Sequence, residues 1–155
     1  MGLRFAALVA GKVVINGGSF FAPSDDRYAL HVEDDMSGSL VATGATFTSY
    51  SVAAYVCKSK VLSGALRFHN CVATSTNEYY GLYVGGTSSA TVDVVGGSIS
   101  GAYQGVYIAN ALSGTLSVSK AAVTGGTHEA LRFGNPPAGV VAIDGASFTS
   151  AGEAA

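Results

Sequence analysis

Charge is what this sequence has least of. Asp, Glu, Lys and Arg together make up 12% of its 155 residues, about half the usual share of a soluble domain. The outer surface must then be built mainly from Ser, Thr, Gly, Ala, Val and Tyr, and part of such a surface is expected to lie under another protein. The formal net charge of −2 gives no electrostatic reason to expect nucleic acid or an anionic membrane as a partner. Cysteine is equally scarce. Cys57 and Cys71 have neither metal-site nor redox-motif spacing and read as two buried thiols. No apolar run is long enough to span a bilayer. The opening MGLRFAALVAGKVV puts Arg4 before an apolar run, but the run is short and no convincing cleavage site follows, so no secretion signal is expected. Nor does the start offer the Ser or Thr that N-myristoylation favours. No cofactor and no metal are called for.

The sequence does contain a repeat. With 48% apolar residues a chain of this length can bury one sizeable core, and residues 1–155 are read as one domain. Alternating apolar-x-apolar triplets, each preceded by Ala or Gly, begin at Leu3, Leu30, Tyr55, Leu82, Val106 and Leu131, at intervals of 27, 25, 27, 24 and 25. Each triplet is followed by a small residue, at Gly11, Gly38, Gly64, Ala90, Gly114 and Gly139. Two, four and nine positions beyond that residue the chain is apolar in all six copies, from Val13, Ile15 and Phe20 in the first to Val141, Ile143 and Phe148 in the last. Every segment alternates with period two and none has helical periodicity, so each copy is predicted to be three short strands separated by Gly, Ser and Asn corners. Stacked copies would pair each strand in parallel with its counterpart about 4.8 Å away, giving a rod about 29 Å long. A leucine-rich repeat of similar length is excluded because its L-x-x-L-x-L-x-x-N pattern is missing.

The cadence SG-x-L-x-V-x-G-G-x-[FIV]-x-S, clearest at Ser89 to Ser100 and Ser113 to Thr124, resembles the right-handed parallel β-helix of the pectate-lyase-like class, over residues 2 to about 150. In character it is similar to rungs of bacteriophage tailspikes and other virion surface proteins. The resemblance implies an all-β, right-handed parallel β-helix of about six rungs. It further implies a homotrimer on the virion surface, a capsid decoration or cement protein or a spike module in contact with other virion proteins, assembled in the host cytoplasm. Fold alone does not transfer an activity.

Enzymes of this class carry their site on the outer face of the first strand sheet. The residue between the two inward ones of each triplet runs Arg4, His31, Val56, Tyr83, Tyr107 and Arg132, and two residues on the series is Ala6, Glu33, Lys58, Gly85, Ala109 and Gly134. A calcium-dependent lyase needs carboxylates on neighbouring turns and a base, but Glu33 has no acidic neighbour above or below it. Polygalacturonase-like hydrolases carry Asp motifs on successive turns and a Gly-His-Gly. Here Asp34 and Asp35 share a turn with Glu33, so no pair can face across a glycosidic bond. No catalytic residue is assigned.

Tyr83 and Tyr107 are expected to stack on adjacent turns, with Tyr79, Tyr80 and Tyr103 in the corner just before and Gln104 and Arg132 nearby. Such an aromatic ladder can be a subunit interface, a platform for a host surface glycan, or sheet packing alone. Val56, Tyr83, Tyr107, Arg132, Tyr103 and Tyr79 are therefore the candidate interface or glycan-binding residues. A third-strand column of Ser19, Thr46, Val72, Ser98, Ala122 and Ser147 is too mixed for the matched array of an ice-binding solenoid. His31 and His69 fall in different outward columns and His128 in a corner, which disfavours a shared metal. His128-Glu129 and Asp25-Asp26-Arg27 read as solvated corners. Both ends of the solenoid are expected to leave strand edges and core that other subunits or a larger assembly cover, or that Met1 and the short tail cover poorly.

Overall fold

The computed structural model describes residues 2–24 and 28–152. The corner Asp25-Asp26-Arg27 lies outside the described residues. Alternating apolar residues give eighteen strands and no helix among the described residues. The strands form three six-stranded parallel sheets. The first holds β1 (Leu3–Phe5), β4 (Tyr28–Val32), β7 (Val52–Val56), β10 (Tyr80–Val84), β13 (Gln104–Ile108) and β16 (Leu131–Phe133). The second holds β2 (Lys12–Asn16), β5 (Ser39–Thr43), β8 (Ala65–His69), β11 (Thr91–Val95), β14 (Thr115–Ser119) and β17 (Val140–Asp144). The third holds β3 (Ser19–Ala22), β6 (Thr46–Ser49), β9 (Val72–Ser75), β12 (Ser98–Gly101), β15 (Ala122–Gly125) and β18 (Ser147–Ser150). Every strand pairs in parallel with the strand three further along, so the chain is a parallel β-solenoid of about six turns.

The core consists of ladders of side chains that run along the rod. Val13, Leu40, Leu66, Val92, Leu116 and Val141 form one, and Phe20, Phe47, Ala73, Ile99, Val123 and Phe148 another. These are the repeat positions read from the sequence, in the same register. Each fully buried Leu here contributes roughly 1.5–3 kcal/mol. A further ladder lies outside the repeat positions read from the sequence. Val9, Met36, Leu62, Ser88 and Leu112 meet through single bridges in the corner between the first and second sheets, and all are buried.

One residue per turn closes the corner between the second and third sheets, and it is always left-handed. The positions are Gly17, Gly44, Asn70, Gly96, Lys120 and Gly145, with φ between 51° and 66°. Glycine fills four of the six because a side chain at positive φ is sterically costly, and Asn is among the residues that tolerate it best.

The structure corrects the third turn of the first sheet. Leu82, Tyr83 and Val84 pair with Ala54, Tyr55 and Val56, so the inward residues are Ala54 and Val56, and the outward one is Tyr55. Val56 is 0% exposed and points into the core, not onto the outer face. Cys57, expected to be an inward strand residue, follows the strand with φ 52°. Its amide bonds to Val32, as those of Glu33 and Gly85 bond one turn back, so Cys57 rather than Lys58 occupies that column. Both cysteines are buried and unpaired to each other.

Candidate functional site

The outward face of the first sheet carries a tyrosine ladder, built by the register just described. Arg4, His31, Tyr55, Tyr83, Tyr107 and Arg132 follow one another at successive turns. Two further rings fill in beside them from the strand starts, Tyr28 and Tyr80. Tyr28 stacks on Tyr55 with centroids 4.4 Å apart and planes 15° from parallel, and Tyr55 stacks on Tyr83 at 4.7 Å and 8°. Tyr80 bridges Tyr83 and Tyr107, at 5.2 Å from each. Tyr83 and Tyr107 meet edge to face at 5.6 Å. His31 packs edge-on against both Tyr28 and Tyr55.

Charged groups close the two ends of the ladder. At one end the Arg4 Nε donates to Glu33 Oε2 at 2.9 Å, with a second contact from its terminal nitrogen. At the other the Arg132 guanidinium lies 5.8 Å from the Tyr107 centroid, over the ring. Glu129 takes a 2.7 Å hydrogen bond from Gln104 Nε2 and lies 3.8 Å from Arg132. A bond from its own backbone amide, first, and the Gln104 bond, next, hold the Glu129 carboxyl below its usual range. Burial raises the hydroxyl pKa values of Tyr55, Tyr80 and Tyr83, and the neighbouring phenols add to the effect. Burial likewise lowers that of His31, against the pull of Glu33.

The lengths of the corners between the third and first sheets shape what lies beside the ladder. Tyr50-Ser51 and Ala102-Tyr103 are two-residue corners, whereas residues 76–79 make a longer one between them. The long corner stands proud and leaves a notch on either side. One notch, about 420 Å³, is lined by Tyr28, Tyr55, Glu78, Tyr79, Tyr80 and Tyr83 among others. The second, about 480 Å³, is lined by Asn77, Glu78, Tyr79, Tyr80 and Tyr103. Tyr79 is exposed in both, and Tyr103 packs at 4.1 Å against His128.

Of the candidate residues, Tyr83, Tyr107 and Arg132 share one column, Tyr79 and Tyr103 flank it, and Val56 is not part of it. Tyr55 and Tyr28 belong to the ladder and were missed. The signal for Tyr55 was its one-residue offset from Val56; Tyr28 follows the corner read only as solvated charge.

The carboxylates that imitate a hydrolase motif have structural partners. Asp34 Oδ1 accepts from the Asp35 backbone amide at 2.9 Å and lies 3.3 Å from Lys60, which holds its pKa below the ordinary value. Asp35 Oδ1 accepts from the Val61 amide at 2.7 Å. The Lys60 ion pair and the Val61 bond tie neighbouring corners together. Among the described residues no three His, Cys, Asp or Glu side chains are grouped so as to hold a metal ion.

Fold and face together define a parallel β-solenoid with an aromatic spine along one sheet. Comparison with protein-family models, curated proteins and solved structures finds no match to any of them.

Proposed function

We propose that this chain is a non-catalytic structural protein that assembles through its tyrosine face, as a homotrimer on the surface of a bacteriophage virion. There it would serve as a capsid decoration protein or spike module beside other virion proteins. The observation that carries the assembly is how the rings are used. Tyr28, Tyr55 and Tyr83 stack face to face, so their flat surfaces are spent on one another. What remains outward is a row of ring edges and hydroxyls, a surface that suits a second protein better than the flat C–H face of a sugar. A symmetry axis parallel to the rod lets every turn meet its own copy and multiplies a small contact along the length. The virion setting rests on the resemblance of the rung cadence.

The test is mass in solution together with two substitutions. Wild-type protein is expected to contain a closed three-chain species. Tyr83→Glu with Tyr107→Glu should dissociate it by placing like charges across the axis, with the far-UV β spectrum retained. Wild-type protein lacking any closed oligomer at high concentration would overturn the reading.

A second reading has its own support in the two notches around Glu78 and the exposed Tyr79. A carboxylate beside free aromatic surface can bind a glycan. Retention on a surface polysaccharide, lost in Tyr79→Ala and Glu78→Gln, would establish it.

A further inference from the structure

The long corner at residues 76–79 is anchored to the turns on both sides of it. The Thr76 and Asn77 amides donate to the Ser49 and Tyr50 carbonyls of the turn before, at 2.9 and 3.2 Å. The Tyr103 amide of the turn after donates to the Tyr79 carbonyl at 2.9 Å. The backbone thus fixes Tyr79 and Tyr103 side by side, with Tyr80 beside both and Glu78 in the exposed corner. These three rings are arranged differently from the stack of Tyr28, Tyr55 and Tyr83. Tyr79 and Tyr80 are inclined at 40° with centroids 5.9 Å apart, and Tyr80 and Tyr103 at 78° and 6.1 Å. Rings so inclined do not close their faces on one another. They wall the hollow of about 480 Å³ whose remaining lining is Asn77 and Glu78. That lining holds one carboxylate and, among the described residues, no Lys or Arg. Arg132 is taken up by Tyr107 and Glu129.

We propose that this hollow is an aromatic cage for a trimethylammonium group of the choline class, with Glu78 as its counter-charge. The inference stands apart from both the assembly and the glycan reading. Ring faces carry the negative side of the aromatic quadrupole and attract a cation within about 6 Å of a centroid. Three rings lining one hollow at different inclinations can surround such a group, which a flat stack cannot. An alkylated ammonium suits the site better than a lysine ammonium or a metal ion. Its charge is spread over methyl groups that gain apolar contact with the rings, whereas a primary ammonium is a compact, strongly hydrated charge. A metal ion needs several oxygen ligands, and Glu78 is the single carboxylate of the lining. An anion would meet that carboxylate with no cation beside it. Because backbone bonds to both neighbouring turns hold the corner, the walls stand before the ligand arrives, which lowers the cost of binding.

Choline is the probe, followed by its proton NMR signal, because methyl groups held over a ring face move upfield. Wild-type protein is expected to give a saturable upfield shift with a dissociation constant in roughly the millimolar range. The neutral isostere of choline, with carbon in place of nitrogen, has the same shape and should bind about tenfold more weakly. Tyr79 and Glu78 are exposed, so their variants should keep the far-UV β spectrum. Tyr79→Ala is expected to weaken choline binding roughly tenfold, whereas Tyr79→Phe, which keeps the ring, should stay within about twofold of wild type. Glu78→Gln should weaken it about threefold, as for an exposed charge pair. Co-sedimentation with phosphatidylcholine vesicles, reversed by free choline, would make the lipid headgroup the source of the group. Choline binding without co-sedimentation would make it a free small molecule. Absence of a saturable shift overturns the proposal, as does equal binding of the neutral isostere or choline binding that persists in Tyr79→Ala. A monomeric chain that binds choline supports the cage and overturns the trimer; a trimer that does not bind it does the reverse.

Discussion

Val118 and Ile143 are neighbours in one ladder of the second sheet, and they live in different environments. Val118 is wholly buried between Val94 and Ile143, whereas Ile143 has a turn on one side only and is 53% exposed. The same contrast separates the middle of the rod from its last turn at other core positions, since Val141 and Phe148 are exposed too. A solenoid turn cannot bury its apolar face by itself; it borrows the cover from its neighbours. The middle turns are covered on both sides, whereas among the described residues the last turn is covered on one.

The sharpest way to break this comparison is to put a charge at each site. Val118→Asp buries an unpaired carboxylate and is expected to abolish soluble folding. Ile143→Asp leaves the carboxylate in water and should fold, with a modest loss of stability. Val56→Asp should be as destructive as Val118→Asp, because Val56 faces the core. Recovery of soluble, cooperatively melting Val56→Asp protein would restore the register in which that residue points outward.

Cavities should rank the two regions in the same order. Phe68 is 1% exposed in the middle of the rod, and Phe68→Ala is expected to cost about 3–5 kcal/mol in chemical denaturation. Phe148→Ala, at the open turn, should cost roughly 1 kcal/mol or less. Equal losses would mean that the last turn is covered in the single chain.

Titration separates the ladder from its ends. The raised pKa values of Tyr55, Tyr80 and Tyr83 mean that their contribution is fully present below the ordinary phenol pKa of about 10. It is lost as pH rises through the folded-state values, because the unfolded chain gives up those protons first. Tyrosinate absorbance should therefore lag in the folded protein and rise with unfolding. The lowered pKa of His31 acts at the other side: stability is full above about 6.5 and falls as pH drops through its folded-state value. His31→Gln should flatten the acid limb and leave the alkaline one unchanged.

The smallest effect has the opposite sign. Ser88 stands in a ladder otherwise made of Val9, Met36, Leu62 and Leu112, and its buried Oγ has no hydrogen-bond partner among the described residues. Ser88→Ala should stabilise the protein by about 1 kcal/mol, seen as a higher denaturation midpoint.

The sequence made the second and third sheets legible because their strands alternate cleanly between apolar and polar residues, as in Thr115–Ser119. The slip came at Val52–Val56, where every residue is buried. The rings of Tyr28 and Tyr83 cover the outer face of Tyr55, so the polar half of the pattern is missing and the Ala before the triplet could be set one place late. The Val9 to Leu112 ladder contributes a single residue per turn, two positions before the small residue of each copy, so it recurs with the repeat but shows no alternation of its own, and Ser88 interrupts its apolar column. The site was half legible for a related reason: Tyr83 and Tyr107 stand in a clean repeat, whereas Tyr28 follows a charged corner of irregular length.

Amide hydrogen exchange tests the contrast between the middle and the last turn most directly. In dilute protein the amides of β8, β11 and β14 are expected to be strongly protected and those of β17 and β18 to exchange fast. Terminal strands as protected as the middle would contradict the view that a turn owes its burial to a neighbour on either side.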